Sequence, residues 1–430
     1  MIRAIARRSP RIRALYRGMR DFAVGPPSEA SHRFLPELQR ISPTSSRVAD
    51  LRVNLVIGTL DSELMYGGGR TALSLFAHVA DAVGSRSRII SVERLPAALS
   101  DVEEHSRSYV DDESPMRSLV GLKERAGDRL PVGPRDVFVA TYWSTAEAVL
   151  RVREWQRATY ATVPRHFLYV IQDYEPGFYP GSAQSMLARS TYELPDEVIA
   201  VFNTSLLRDY FRSQRLTFAH EFVFEPRLPA ELRMVREQGD LRERTVVVYG
   251  RPQRPRNAFP LIVEALRRWH ETDARATSWT CVSAGQSHEA IDLGGAQLHS
   301  LGKLDMKAYA ELLGRSAVGI ALMVSPHPSY PPLEMAHLGL LVITNRFGDK
   351  DLSTWHENIT SLADVTPERM AATISEVCAR FDRDPTGGDR GQTRRPDYLS
   401  NGPQFPFAED VAWLLVQGAD APTSSRGKGQ

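Results

Sequence analysis

Three arginines in six residues, Arg251, Arg254 and Arg256, stand in the stretch GRPQRPRNAF between an apolar run, TVVVYG, and an amphipathic one, FPLIVEALRRWHE. Guanidinium forks next to the unpaired amides of a helix start suit a pyrophosphate. A helix terminus supplies about 0.3 to 1 kcal/mol and a charged hydrogen bond about 1.5 to 3, so a departing diphosphate would depend on the cations more than on the dipole. Asn257 is placed to cap that helix. A solvated basic loop is the plain alternative for an arginine-rich run. Lys303, in LGKLD, offers another cation after a second strand-like run, and Asp305 beyond it reads as a helix N-cap.

Three other stretches carry chemistry. QDYEPGFYPG, 172–181, sets Asp173 and Glu175 beside Tyr174, Phe178 and Tyr179. A carboxylate there can orient or deprotonate a hydroxyl, and aromatic faces stack on sugar rings; a turn-forming aspartate in a packed aromatic loop fits the same residues. YGGGR, 66–70, places Gly67, Gly68 and Gly69 ahead of a helical pattern, where a ligand can approach the backbone closely, or where a turn needs positive φ. It is not G-x-G-x-x-G, so a nicotinamide dinucleotide has no support. SPHPSYPPLEMAHLG, 325–339, holds four prolines, a single carboxylate at Glu334 and a stop at Gly339. Its Glu-x-x-His pair, Glu334 and His337, has no second cluster to complete a metal site, so no metal is expected. His356 reads as packed or surface, and Asn203, Thr204 and Ser205 read as helix caps.

The elements that must position these residues alternate between short apolar runs and amphipathic stretches, the pattern of α/β layers with parallel sheets. Strands are predicted at 53–60, 87–93, 136–142, 166–172 and 197–202, with a helix at 71–84 and a charged insertion of loop and helix over 95–135. A second series follows a polar stretch near 226–244: strands at 245–250, 278–285, 317–325 and 340–345, and helices at 259–271, 306–316 and 332–338. Two doubly wound, Rossmann-like halves result, and in such sheets ligands bind outside the carboxyl ends of the strands, where all the stretches above fall. The expected divisions are a basic arm and linker at 1–47, an acceptor-side domain at 48–235, a nucleotide-binding domain at 236–400, a helix at 401–420 returning to the first domain, and a disordered tail at 421–430.

With 53 basic and 52 acidic residues the net charge is +1, which gives no case for nucleic-acid binding. The two cysteines, Cys281 and Cys378, have no partner motif and fit a reducing cytosolic setting. No run reaches the roughly 18 to 20 apolar residues of a membrane-spanning helix. Residues 1–25 carry seven arginines against one acid, with Ile5, Ile12, Leu15, Tyr16, Met19 and Phe22 near helical spacing. That composition suits peripheral contact with an anionic bilayer at the inner face of the cell membrane; a disordered or locally docked arm suits it equally.

The pattern S-x-x-x-x-x-P-P-L-E-M-A-x-L-G-L-L-V-I-T, from Ser325 to Thr344, resembles the nucleotide-binding segment of GT-B glycosyltransferases of the glycosyltransferase family 4 type. That family carries E-x-x-x-x-x-x-x-E, the second acid followed by A-x-A-x-G-x-P-V-I. Together with KDLSTWHENI, 350–359, the segment looks most like bacterial rhamnosyltransferases that use a dTDP-linked donor to build cell-surface polysaccharide. The resemblance covers roughly 50–415 and is strongest over 245–360. It implies a GT-B fold, a nucleotide-sugar donor with no further cofactor, a saccharide or lipid-linked saccharide acceptor, and retention of anomeric configuration. By the same resemblance Glu334 would bind the ribose hydroxyls, and Arg251 with Lys303 or Arg256 the diphosphate. Gly67, Gly68 and Gly69 match the glycine loop beside donor and acceptor, and Asp173 stands near a family histidine. Where the family has its first acid, this chain has Pro326. Contacts to the sugar must then come from His327, Ser329, Tyr330 or backbone amides, and a 6-deoxyhexose, with one hydroxyl fewer, tolerates the loss.

Overall fold

In the computed structural model the described residues are 41–62, 65, 67–92, 116–122, 129–162, 165–233 and 242–417, with Leu35 and Leu38. The basic arm, 1–25, and the tail, 421–430, lie outside them. Nine strands come first: β1 (Ser42–Ser45), β2 (Arg52–Ile57), β3 (Arg86–Ser91), β4 (Arg117–Gly121), β5 (Arg129–Val132), β6 (Asp136–Ala140), β7 (Phe167–Ile171), β8 (Val198–Asn203) and β9 (His220–Phe224). Strands β1 and β5 pair as a small parallel ribbon, and the other seven form one parallel sheet in the order β4-β3-β2-β6-β7-β8-β9. Every residue of β2, β6, β7 and β8 is buried, as a parallel sheet covered on both faces requires.

The covering helices are α1 (Gly67–Val83), α2 (Trp143–Tyr160), α3 (Ala183–Ser190) and α4 (Ser205–Ser213); a short turn of helix, α5 (Ala230–Arg233), follows. Alternation along the strands sorts the core: Leu55, Val139 and Val170 face α1 through Phe76 and Val79, whereas Val56, Phe138 and Tyr169 share the opposite core with Val149 of α2 and Phe211 of α4.

The second sheet is built from β10 (Glu243–Gly250), β11 (Thr280–Gly285), β12 (Ile291–Asp292), β13 (Gln297–Ser300), β14 (Ser316–Ile320), β15 (Leu341–Asn345) and β16 (Ile359–Leu362). Its order is β12-β13-β11-β10-β14-β15-β16, parallel except for the edge pair β12 and β13. Helices α6 (Phe259–Thr272) and α9 (Pro367–Arg383) cover one face, and α7 (Met306–Arg315) and α8 (Pro331–His337) the other. The last helix, α10 (Ala408–Gln417), packs against α1, placing Val411 and Leu415 in the core of the first sheet.

Several sequence expectations are corrected. Of the two readings of the glycine run, the turn needing positive φ is excluded: Gly67, Gly68 and Gly69 form the first turn of α1, which starts four residues before the helix expected at 71–84, and none has positive φ. The insertion at 95–135 contains β4 and β5, short strands whose arginines and prolines hide the period-two pattern. The strand expected at 317–325 stops at Ile320, and the chain then crosses toward the first sheet. Gly339 needs its glycine: φ is +90°, and a Cβ would collide with the Arg242 guanidinium that binds the Leu338 carbonyl.

Candidate functional site

Each sheet has a point where the parallel strands run outward in both directions, between β2 and β6 in the first and between β10 and β14 in the second, and the chain segments leaving these strands meet in a cleft. Two cavities occupy it. The smaller, ≈ 290 Å³, is lined by Gly67, Gly68 and Gly69, by Tyr142, Gln172, Asp173, Phe178 and Asn203 from the first sheet, and by Arg251, Arg256, His327, Ser329 and Tyr330 from the second. The larger, ≈ 430 Å³, holds Glu334, Lys303, Tyr309, Arg70, Thr71 and Gly285. Gly67, Tyr249, Tyr330 and Pro331 line both, so the two cavities adjoin at the N-terminus of α1.

Glu334 sits in the first turn of α8, started by Pro331 and Pro332. Burial pushes its carboxyl up to about 7, and the Tyr309 hydroxyl beside it pulls the other way. Across the joint, Asn203 Nδ2 donates to the Tyr330 hydroxyl at 2.7 Å. Lys303 Nζ donates to the Ser62 carbonyl at 3.0 Å and stands in the larger cavity, apart from Arg251 and Arg256. The three candidate cations are therefore divided: two arginines on the smaller cavity, the lysine on the larger.

Arg256 lines the smaller cavity, its guanidinium 4.3 Å from the Phe178 ring centroid and its Nη1 3.0 Å from Asp173 Oδ2. Asp173 also accepts hydrogen bonds from the Ser325 hydroxyl and from its neighbour Tyr174's amide. The carboxylate read as an acceptor base is thus engaged with the opposite domain. Ser325 Oγ accepts the His327 amide, and His327 Nδ1 accepts the Ser329 amide at 3.0 Å. That last bond fixes the tautomer: Nδ1 is an acceptor, so Nε2 carries the proton. Burial lowers the His327 pKa to about 4, with Asp173 opposing and Arg256 and Lys350 adding to the shift, so the ring is a neutral donor near pH 7. The turn that achieves this holds Ser329 at φ +68°, a strained conformation of the kind that gathers at ligand sites.

Glu175 is different in kind. It is buried beneath the aromatic loop, where its Oε2 accepts the Trp143 amide at 2.6 Å and the Tyr169 hydroxyl at 3.3 Å, capping α2. Burial raises its pKa to about 8, against the Trp143 amide. Asn257 does not cap α6: Ala258, with φ +47°, occupies the cap position, and Asn257 Nδ2 holds the Leu322 carbonyl. Thr204, not Asn203, caps α4 by accepting the Leu207 amide, and Asp305 caps α7. His356 is buried, and among the described residues no group of three metal-ligating side chains gathers.

Lys350 escaped the sequence reading. It is 1 % exposed, and its Nζ donates to the Met323 carbonyl at 2.5 Å. Burial lowers its pKa to about 7, with Asp173 opposing. It follows β15, so a search of strand ends for lone lysines would have found it.

Residues 52–205 match the family described as WsaF, N-terminal domain, and residues 244–375 match WsaF, C-terminal domain. The O-antigen biosynthesis protein RfbC of Myxococcus xanthus is 32% identical over 250 residues, covering 56% of this chain; the chain spans only 18% of that protein's length. Among solved structures, TarM has a TM-score of 0.56 at 6% identity, covering 85% of this chain and 98% of its own. A sucrose-phosphate synthase from Thermosynechococcus elongatus has 0.53 at 12%, covering 85% and 95%. WaaG, a glycosyltransferase involved in lipopolysaccharide biosynthesis, has 0.51 at 11%, covering 85% and 100%. At such identities the likeness is one of fold, and the fold is GT-B.

Proposed function

The chain belongs to the WsaF family, whose two domains between them cover well over half of it, and from that premise we propose that it is a glycosyltransferase of surface-polysaccharide or O-antigen assembly. The donor is a nucleotide sugar, dTDP-L-rhamnose by the resemblance of 325–359, and the acceptor a saccharide hydroxyl. The observation that carries this reading is the continuity of the two cavities, with a carboxylate at one end and arginines at the other. The nucleoside lies in the larger cavity with Glu334 on its ribose hydroxyls. The diphosphate crosses the joint at the N-terminus of α1, met by Arg251 and Arg256 on one side and Lys303 on the other, and the sugar enters the smaller cavity.

Charge develops on the diphosphate as the glycosidic bond breaks, and cations already held in place stabilise it without reorganisation. His327 supplies a neutral Nε2–H to the sugar region where the family resemblance expects an acid at Pro326's position. The acceptor approaches past Tyr142 and Phe178, whose rings lie 6.5 Å apart and nearly parallel. Anomeric retention follows from the resemblance. The basic arm at 1–25 would keep the enzyme at the inner membrane face, close to a lipid-linked acceptor.

The test is incubation of purified protein with dTDP-rhamnose and a rhamnan oligosaccharide. Release of dTDP with a lengthened oligosaccharide is expected; no release above background with this or any other nucleotide sugar would refute catalysis. A second reading, a non-catalytic nucleotide-sugar-binding partner, is favoured by Pro326 alone, and turnover separates it from the first because both bind donor.

A further inference from the structure

We infer that Gln172 and Asn203 form a carboxamide pair that reads the hydroxyls of the sugar being transferred; this rests on the reading of the cleft as a nucleotide-sugar site. The two residues directly follow Ile171 and Phe202, which are paired in register on the neighbouring parallel strands β7 and β8. Continuing that register puts both amides side by side at the carboxyl edge of the sheet, and both line the smaller cavity.

Each has an unmet valence. Asn203 is 1 % exposed; its Nδ2 donates to the Tyr330 hydroxyl, and its Oδ1 has no hydrogen-bond partner among the described residues. Whichever way round the amide is placed, the Tyr330 hydroxyl, which can donate or accept, engages only one of its two ends. Gln172 Oε1 is likewise buried with no partner among the described residues. A Cβ on Gly68 would come within 2.7 Å of that oxygen, so the glycine keeps open the space in front of it.

Buried carboxamide oxygens without a partner are rare, and here two stand together on one cavity wall. Their chemistry selects the occupant. They carry no charge to attract phosphate, which the arginines and Lys303 already serve, but each offers an acceptor and a donor, the pattern a pyranose ring answers with successive hydroxyls. Their location assigns the ring to the donor. Asn203 is bonded to Tyr330, and Gln172 faces Gly68, the chain neighbour of Gly67; Tyr330 and Gly67 line both cavities, so the pair stands at the joint where the diphosphate crosses.

The experiment measures Kd by calorimetry for dTDP, UDP, dTDP-rhamnose and UDP-glucose, on the full chain and on Asn203→Ala and Gln172→Ala. In the native protein the preferred sugar nucleotide binds more tightly than its bare diphosphate. Each substitution should weaken the sugar nucleotide by about 5- to 10-fold, the worth of one neutral hydrogen bond, and leave the bare diphosphate within about twofold. Retained diphosphate binding also shows that the variant is folded; should Asn203→Ala fail to fold, Gln172→Ala, at a partly exposed position, carries the test alone. Equal weakening of both ligands, no weakening of either, or a rise only in the acceptor KM would overturn the inference. A native protein that binds no nucleotide at all would overturn the reading of the cleft, and the inference with it.

Discussion

Replacing Asp173 with asparagine separates two roles that its carboxylate cannot fill at once. Its Oδ2 lies 3.0 Å from Arg256 Nη1, and its Oδ1 takes the Ser325 hydroxyl and the Tyr174 amide. The pair is well shielded on the acid's side, with 8% of the Asp173 side chain exposed against 29% of Arg256's. A charged hydrogen bond contributes about 1.5 to 3 kcal/mol, and the exposure of Arg256 argues for the lower figure. A diphosphate that recruits Arg256 must first take it from Asp173, so its affinity is reduced by that amount. In Asp173→Asn the side chain keeps its shape and can still accept from Ser325 and Tyr174, but it turns an amide donor toward the guanidinium, and Arg256 is released. Calorimetric titration with dTDP at fixed salt should then show binding about tenfold tighter than native, from roughly 1.4 kcal/mol of removed competition. Transfer should nevertheless fall, because the carboxylate is lost from the acceptor side. Unchanged or weaker dTDP binding by a folded variant would refute the argument and leave Asp173 as a base with no part in donor affinity.

Arg251→Ala, which removes a 7 % exposed guanidinium from the smaller cavity, should weaken dTDP by at least the tenfold to hundredfold of a charged hydrogen bond, with a flatter salt dependence, read by the same titration. Glu334→Gln tests the buried acid. Its folded pKa, about 7, stands above the ordinary value of 4.5, so the ionised form is disfavoured in the fold and native stability falls as pH rises from about 4.5 through 7. The ceiling is about 3 kcal/mol. The substituted glutamine cannot ionise, so the variant's melting temperature should exceed the native one above pH 7 and converge with it below pH 5, while ribose recognition is lost. Lys350→Met tests the opposite sign. The lysine's folded pKa, about 7, lies below 10.5, so the fold disfavours its charged form fully below pH 7 and decreasingly as pH climbs toward 10. Denaturant melts should show the native protein gaining on the variant across that window; a constant difference would mean that Lys350 does not titrate there.

Much of this was legible because parallel strands buried on both faces announce themselves as apolar runs, and VNLVIG, HFLYVI and LLVITN needed no partner to be recognised. The rule that ligands gather at strand ends then pointed to Asp173 and Arg251, and the resemblance of 325–344 to Glu334, all three of which line the cavities. What escaped depended on contacts between segments far apart in the chain. Asp173 and Ser325 are separated by 152 residues, Asn203 and Tyr330 by 127, and nothing local distinguishes a cleft-bridging asparagine from a helix cap. Glu175 and Asp173 are two residues apart and chemically alike; burial beneath Trp143 against partnership with Arg256 separates their roles, and burial is a property of the packed whole. The choice between a positive-φ turn and a helix start at Gly67, Gly68 and Gly69 was open for the same reason, since the close approach of Tyr330, Gln172 and Met65 to those three positions is a property of the packed whole.

Asp173 with Arg256 and Ser325, Asn203 with Tyr330, and Lys303 with the Ser62 carbonyl join the two sheets through residues that the proposed donor would use. On the proposed reading, binding would be an exchange: the diphosphate would take Arg256 and Lys303 from protein oxygens and become the bridge itself. Net affinity is then the difference between two sets of charged bonds, which keeps the bare nucleotide from holding the cleft too tightly. Once the sugar has been transferred, the leaving nucleotide retains its phosphates but loses whatever the carboxamides and His327 held, and Asp173 and Ser62 are on hand to reclaim the cations as product departs.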